Sequence, residues 1–192
     1  MTENLYERCR RIVYVHGFGS TFDPCKPKIK ALATLMRVQG VTVDYTHPPA
    51  EVFETFANLL RAGEPALIVG TSLGGFFAAW LGAELRLPFI AINPSIKPAV
   101  TLQRYVGDGM THSGRPFHLS AAVVAAYADL PFRMDGFGEV VLDAGDTVLD
   151  ASATMALVAG HLPVTCYDGG SHRFDHMPDF VARLRPRLQS QF

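Results

Sequence analysis

The sequence predicts an α/β fold: one doubly wound, mainly parallel sheet of six strands in the order 2-1-3-4-5-6, wrapped by helices. Two observations carry this prediction. Short strand-like runs (Ile12–Val15, Ala66–Val69, Phe89–Ile92, Glu139–Asp143, Val164–Tyr167) alternate with stretches of helical periodicity along the whole chain. One run, Ala66-Leu67-Ile68-Val69, leads straight into Gly70-Thr71-Ser72-Leu73-Gly74-Gly75. Four consecutive apolar residues suit a strand covered on both faces, as parallel strands are.

The elements follow in order. Met1 to Arg10 is polar and is expected to fray, with Leu5 and Tyr6 able to dock on the surface. Ile12–Val15 is the first strand and ends in His16-Gly17-Phe18-Gly19-Ser20. Pro27 to Gln39 carries Ile29, Leu32, Leu35 and Met36 at helical spacing, with Pro27 in the first turn and Gly40 as the stop. Val41–Tyr45 reads as the second strand, and Glu51–Arg61, with Val52, Phe53, Phe56, Leu59 and Leu60 on one face, as a core-facing helix.

The third strand and its helix hold the Ser72 turn, and Pro88–Pro94 is the fourth strand with its exit. Residues 94–138 are less regular, and a small, partial cover is expected there, with a plain crossover and no lid as the alternative. Ala99–Val106 and Leu119–Ala128 are helical there, separated by a Gly/Pro loop, and Phe117, Tyr127 and Phe132 are either core or pocket aromatics. Glu139–Asp143 is the fifth strand, Asp150–Ala159 a helix with Asp150 as its N-cap, and Val164–Tyr167 the sixth strand. A closing helix starts near Pro178, with Pro186 limiting its length.

Composition narrows the function. At 192 residues and 48% hydrophobic the chain fits a single domain, residues 1–192. A formal net charge of −1 gives neither a field for nucleic acid nor a polybasic membrane anchor, so small molecules are the expected partners. Cys9, Cys25 and Cys166 are odd in number and lack metal-knuckle spacing, so they read as reduced thiols. Arg10-Arg11 precedes only Ile12–Val15, which is neither a leader's apolar region nor a membrane span, and a cytoplasmic location is expected.

The chemistry gathers at strand ends. Ser72 sits at a sharp strand-to-helix turn where its neighbours two residues away, Gly70 and Gly74, must be small. The spacing resembles the G-x-S-x-G elbow of α/β-hydrolases. A dinucleotide loop at Gly17-Phe18-Gly19 is disfavoured, because position 22 is Phe and Asp23-Pro24 follows where a helix should begin. The loop instead suits an oxyanion hole, with backbone N–H groups from Phe18 and Leu73, each typically worth ~3 kcal/mol in the transition state.

His16 braces that loop. Downstream, Asp146 follows the fifth strand as the acid, with Asp143 and Asp150 as alternatives, and His172 follows Gly169-Gly170 as the base. His176, four residues on with Asp175 between, could compete or pair with His172 around a metal, but a third ligand is missing; no metal and no cofactor are expected.

Tyr14-Val15-His16-Gly17-Phe18, Gly70-Thr71-Ser72-Leu73-Gly74-Gly75-Phe76, Ile92-Asn93-Pro94, Gly145-Asp146-Thr147-Val148-Leu149-Asp150 and Gly169-Gly170-Ser171-His172 occur in that order. In this the chain resembles the YqiA-like small bacterial esterases, a lid-poor branch of the α/β-hydrolases. The resemblance implies a serine esterase or thioesterase with nucleophile Ser72, acid Asp146 and base His172. Where members run into a short Ser/Pro segment after the first loop, this chain has Asp23, Pro24 and Cys25. The rival expectation is a hydrolase-like binding module that keeps the fold without the chemistry.

Overall fold

The computed structural model describes residues 5–189. Six strands form one parallel sheet in the order β2-β1-β3-β4-β7-β8: β1 (Arg11–Val15), β2 (Val38–Gln39), β3 (Ala66–Thr71), β4 (Phe89–Ile92), β7 (Gly138–Asp143) and β8 (Val164–Tyr167). The predicted 2-1-3-4-5-6 order stands, with β7 and β8 as the fifth and sixth sheet strands. Between β4 and β7 lies a separate antiparallel hairpin, β5 (Gly107–Met110) and β6 (Pro116–Leu119).

Helices cover both faces. Successive strand residues point to opposite sides. Val13, Ile68, Ala91 and Val140 pack under α2 (Pro49–Arg61), α3 (Leu73–Leu85) and α6 (Ala151–Val158). Ile12, Val69, Ile90 and Val141 pack under α1 (Pro27–Ala33) and α7 (Met177–Gln189). Both faces are buried, which is why the strand sequences are continuously apolar rather than alternating. The chain reverses its winding between β1 and β3, so their carboxyl ends flank the sheet's crevice. Among the described residues no helix is long and apolar enough to cross a membrane.

Several elements depart from expectation, each for a tertiary reason. The amino-terminal stretch is not frayed from Leu5 onward: Leu5–Arg8 is a 3-10 turn, Tyr6 and Cys9 are buried, and the Tyr6 hydroxyl donates to Glu139 on β7. Met1–Asn4 lies outside the described residues. The first helix ends at Ala33, not Gln39, because the chain must turn back so that the Arg37 carbonyl can accept the Ile12 N–H and Val38–Gln39 can edge the sheet.

The second strand is therefore Val38–Gln39, and Val41–Tyr45 makes no ladder. Burial still alternates along it, but its Val43 N–H donates to His16 Nε2 (3.1 Å) and its Tyr45 hydroxyl to the His16 carbonyl. Within 94–138, the expected helices shrink to α4 (Pro98–Thr101), a 3-10 turn (Gln103–Tyr105) and α5 (Ala121–Ala125), and the expected loop between them is the β5–β6 hairpin. Tyr127 and Phe132 are core, whereas Phe117 on β6 lines a cleft. Pro186 does not limit α7, which continues to Gln189. The buried Phe180, Leu184 and Leu188 recur every four residues, and burying such side chains at about 1.5–3 kcal/mol each outweighs one missing helical hydrogen bond.

Candidate active site

Ser72 joins β3 to α3 at φ 57°, ψ −124°, a backbone region that non-glycine residues rarely occupy. The strain is held from all sides. The Ser72 N–H donates to Ile92 O on β4 (3.0 Å), and its carbonyl accepts from Gly75 N (2.9 Å) and Ser95 N (3.0 Å). Gly70 and Gly74 do what the sequence required of them. A Cβ on Gly70 would overlap the Gly74 carbonyl, and one on Gly74 would overlap the Val15 carbonyl. The elbow thus packs backbone against backbone, and β1 passes directly beneath it.

Three side chains from separate strand ends converge. His172 Nε2 lies 3.1 Å from Ser72 Oγ, and His172 Nδ1 lies 2.7 Å from Asp146 Oδ2. Asp146 Oδ1 accepts from the N–H groups of Val148 (2.7 Å) and Leu149 (2.9 Å) in its own turn. Burial raises the Asp146 pKa, but the His172 hydrogen bond and those two amides outweigh it and hold the carboxyl below its ordinary range. An ionised carboxylate only accepts, so Nδ1 carries the ring proton and the Nε2 lone pair faces the serine hydroxyl.

The loop after β1 lies against the same point. A Cβ on Gly17 would sit 3.1 Å from Ser72 Cβ. The N–H groups of Phe18 and Leu73 have no acceptor among the described residues, Leu73 being the first residue of α3. His16 holds the loop from below, its Nδ1 donating to Gly17 O (2.9 Å) while Nε2 accepts from Val43 N. Burial lowers its pKa to about 4, so it stays neutral in this two-sided role. Lys26 reinforces the loop through Ser20 Oγ (3.0 Å) and Thr21 O (2.7 Å).

The β5–β6 hairpin covers the Phe18 loop. His112 N donates to Gly19 O (2.8 Å), and the Phe18 ring meets Phe117 edge-on (centroids 5.2 Å) and Tyr105 at 5.0 Å. Beside Phe18 a cleft of about 270 Å³ opens between this loop, Thr42–Thr46 and the hairpin tip.

Of the alternatives weighed from sequence, Asp150 caps α6 by accepting from Ala153 N (2.9 Å). Asp143 does not meet His172; its Oδ1 receives His176 Nδ1 (2.8 Å). The two histidines are therefore committed to different carboxylates, and the described residues hold no group of three or more His, Cys, Asp or Glu suited to a metal ion. Sequence reasoning passed over Tyr45, Lys26 and the side chain of Asn93, which donates to Ser171 O (3.1 Å). A polar residue closing an otherwise apolar strand was the available signal for Asn93.

The fold is shared with solved hydrolases. Est1E from Butyrivibrio proteoclasticus superposes with a TM-score of 0.74 at 15% identity, over 96% of this chain and 89% of that one. A monoacylglycerol lipase from Paleococcus ferrophilus gives 0.68 at 14% identity, over 95% of each chain. At this identity the likeness establishes the α/β-hydrolase fold. In sequence, a UPF0227 protein of Shewanella sp. (strain MR-7) is 22% identical over 180 residues, 91% of this chain and 97% of that protein. One from Yersinia pestis bv. Antiqua (strain Angola) is 24% identical over 188 residues, 91% of this chain and 96% of that protein. The model of an uncharacterised protein family, UPF0227, matches residues 11–186, and the chain belongs to that YqiA-like family of α/β-hydrolase fold.

Proposed function

We propose that this chain is a serine hydrolase that cleaves a carboxylic ester or acyl thioester of a small molecule through an acyl-enzyme. The observation that carries the reading is the unbroken relay from Ser72 Oγ through His172 to Asp146, at 3.1 and 2.7 Å, with the serine on a strained elbow. Ser72 Oγ attacks the acyl carbon while His172 Nε2 takes its proton. The oxyanion receives the N–H groups of Phe18 and Leu73. Collapse expels the alcohol or thiol with a proton from His172. A water deprotonated by the same nitrogen then releases the acid and restores the serine.

One structural neighbour, from Paleococcus ferrophilus, is a monoacylglycerol lipase, which supports ester chemistry on this fold. The three free cysteines, two of them exposed, suit a reducing compartment, and we place the enzyme in the cytoplasm.

A fluorophosphonate probe tests the reading. Folded protein is expected to take one adduct on the Ser72 peptide, Ser72→Ala none, and His172→Ala only slowly. Rates across p-nitrophenyl esters and acyl thioesters of increasing chain length then define the acyl group and separate ester from thioester preference. Folded protein that leaves Ser72 unlabelled would make the chain a binding module on a hydrolase scaffold.

A further inference from the structure

Asp143 closes β7 three residues before the proposed acid, is fully buried, and binds the His172 loop without touching His172. Its Oδ2 accepts from Ser171 N (3.1 Å) and Asp175 N (2.7 Å), and its Oδ1 receives His176 Nδ1 (2.8 Å). Its own N–H donates to Asn93 Oδ1 (2.9 Å), and Asn93 Nδ2 donates to Ser171 O (3.1 Å) and, at the limit of a hydrogen bond, to His172 O (3.5 Å). Ser171 is thus gripped by both its N–H and its carbonyl, and the chain is gripped again at Asp175 and His176. His172 lies between the two holds.

The loop requires such holds. Gly169, Gly170 and Phe174 have φ of 71°, 72° and 59°, so the segment makes no regular ladder of its own. Gly170 passes so close that a Cβ there would overlap the Asp143 carboxylate. The imidazole of His176 stacks flat on Tyr167 of β8 (centroids 4.9 Å, planes 8° apart), which anchors the far end to the sheet. Asn93 itself sits at φ 40°, a strained conformation that turns its carboxamide across the ends of β4 and β7.

We infer that Asn93 and Asp143 are positioning residues that together hold the 171–176 loop so that the His172 ring stays in line between Ser72 and Asp146. The inference rests on the proposed role of His172 as base. It also explains why a second carboxylate–imidazole pair stands beside the first: Asp143 and His176 fasten the loop and take no part in proton transfer.

Asn93→Gly and Asp143→Ala test it; glycine accepts the φ at position 93, which keeps one variant folded if the other is not. With an ester substrate both are expected to lose about 10²-fold in kcat with KM within a factor of two, because the base is displaced while the binding surface is not. Proton NMR reads the same displacement without turnover. In wild type the Nδ1 protons of His172 and His176, bonded to carboxylates at 2.7 and 2.8 Å, are each expected to give a strongly downfield signal, and Asn93→Gly is expected to lose the His172 signal while keeping that of His176. Unchanged kcat in a folded Asn93→Gly, or a retained His172 signal, overturns the inference. Wild type that neither labels with fluorophosphonate nor turns over defeats the hydrolase reading instead, and the NMR result still decides whether the two residues orient His172.

Discussion

Asp146→Asn separates the proposed role of this residue as the acid from its structural contacts. In the structure Oδ1 serves the turn, accepting from Val148 N (2.7 Å) and Leu149 N (2.9 Å), while Oδ2 alone faces His172 Nδ1 (2.7 Å). An asparagine can keep its oxygen on the two amides and present its NH2 to the ring. Turning the amide over would instead strand both N–H groups, at about 1–3 kcal/mol each, so the first arrangement wins. Two donors cannot face each other, so the imidazole must move its proton to Nε2. That proton then points at Ser72 Oγ, and the nitrogen can no longer accept from it.

The expected loss is therefore that of a base in the wrong tautomer, roughly 10⁴-fold in kcat, or about 5 kcal/mol of transition-state stabilisation. The fold should barely notice. Exchanging a charge-assisted hydrogen bond for a neutral one costs about 1 kcal/mol, a drop of about 2–4 °C in thermal midpoint for a domain of this size. Steady-state hydrolysis of p-nitrophenyl acetate, read beside a circular-dichroism melt, measures both. A folded Asp146→Asn enzyme within tenfold of wild-type kcat would refute the argument that Asp146 sets the tautomer of His172.

Other perturbations address the elbow, the loop and the buried imidazole. Ser72→Gly should raise thermal stability by about 1 kcal/mol, because it relieves a positive φ, while abolishing probe labelling; a lower midpoint would show that the elbow stores no strain. Gly17→Ala places a Cβ 3.1 Å from Ser72 Cβ and 3.2 Å from Thr71 O. Neighbours must give by a few tenths of an ångström, so about 1–2 kcal/mol of stability and about 10²-fold in kcat should be lost, and wild-type kcat in a folded variant would contradict this.

His16 is expected to set an acid limit to stability. Its folded pKa, near 4, lies below the ordinary 6.5, so its contribution is fully present above pH 6.5. As pH falls through this window the unfolded chain binds a proton that the native chain refuses, costing about 3 kcal/mol by pH 4. Urea unfolding between pH 7 and 4.5 should show a shallower decline for His16→Gln, and parallel declines would remove His16 as the cause.

Much of this molecule was legible in its residues. Gly70 and Gly74 announced the elbow around Ser72 because only glycine tolerates the contacts there, and the loops after the fifth and sixth strands offered Asp146 and His172 for the proposed roles. What escaped was governed by partners distant in sequence. Val41–Tyr45 alternates like a strand, yet its N–H and hydroxyl groups go to His16. The Gly/Pro loop of the cover is a hairpin because Phe117 packs on Phe18 and the His112 N–H reaches Gly19 O, contacts that no local pattern encodes. Asp143 and Asp146 stand three residues apart with the same side chain, and only the path of the 169–176 loop decides which of them meets His172.

The sequence by itself determined the layered α/β architecture, the strand order and the three residues on which the chemistry is proposed to rest. Apolar periodicity and steric demand at glycine are local properties, written into neighbouring residues. The tertiary structure alone decided how those residues are aimed. The Asn93–Asp143 brace, the hold of Tyr45 on the His16 carbonyl and the hairpin over Phe18 are hydrogen bonds and ring contacts between segments far apart along the chain, which meet only because the sheet gathers its strand ends at one edge.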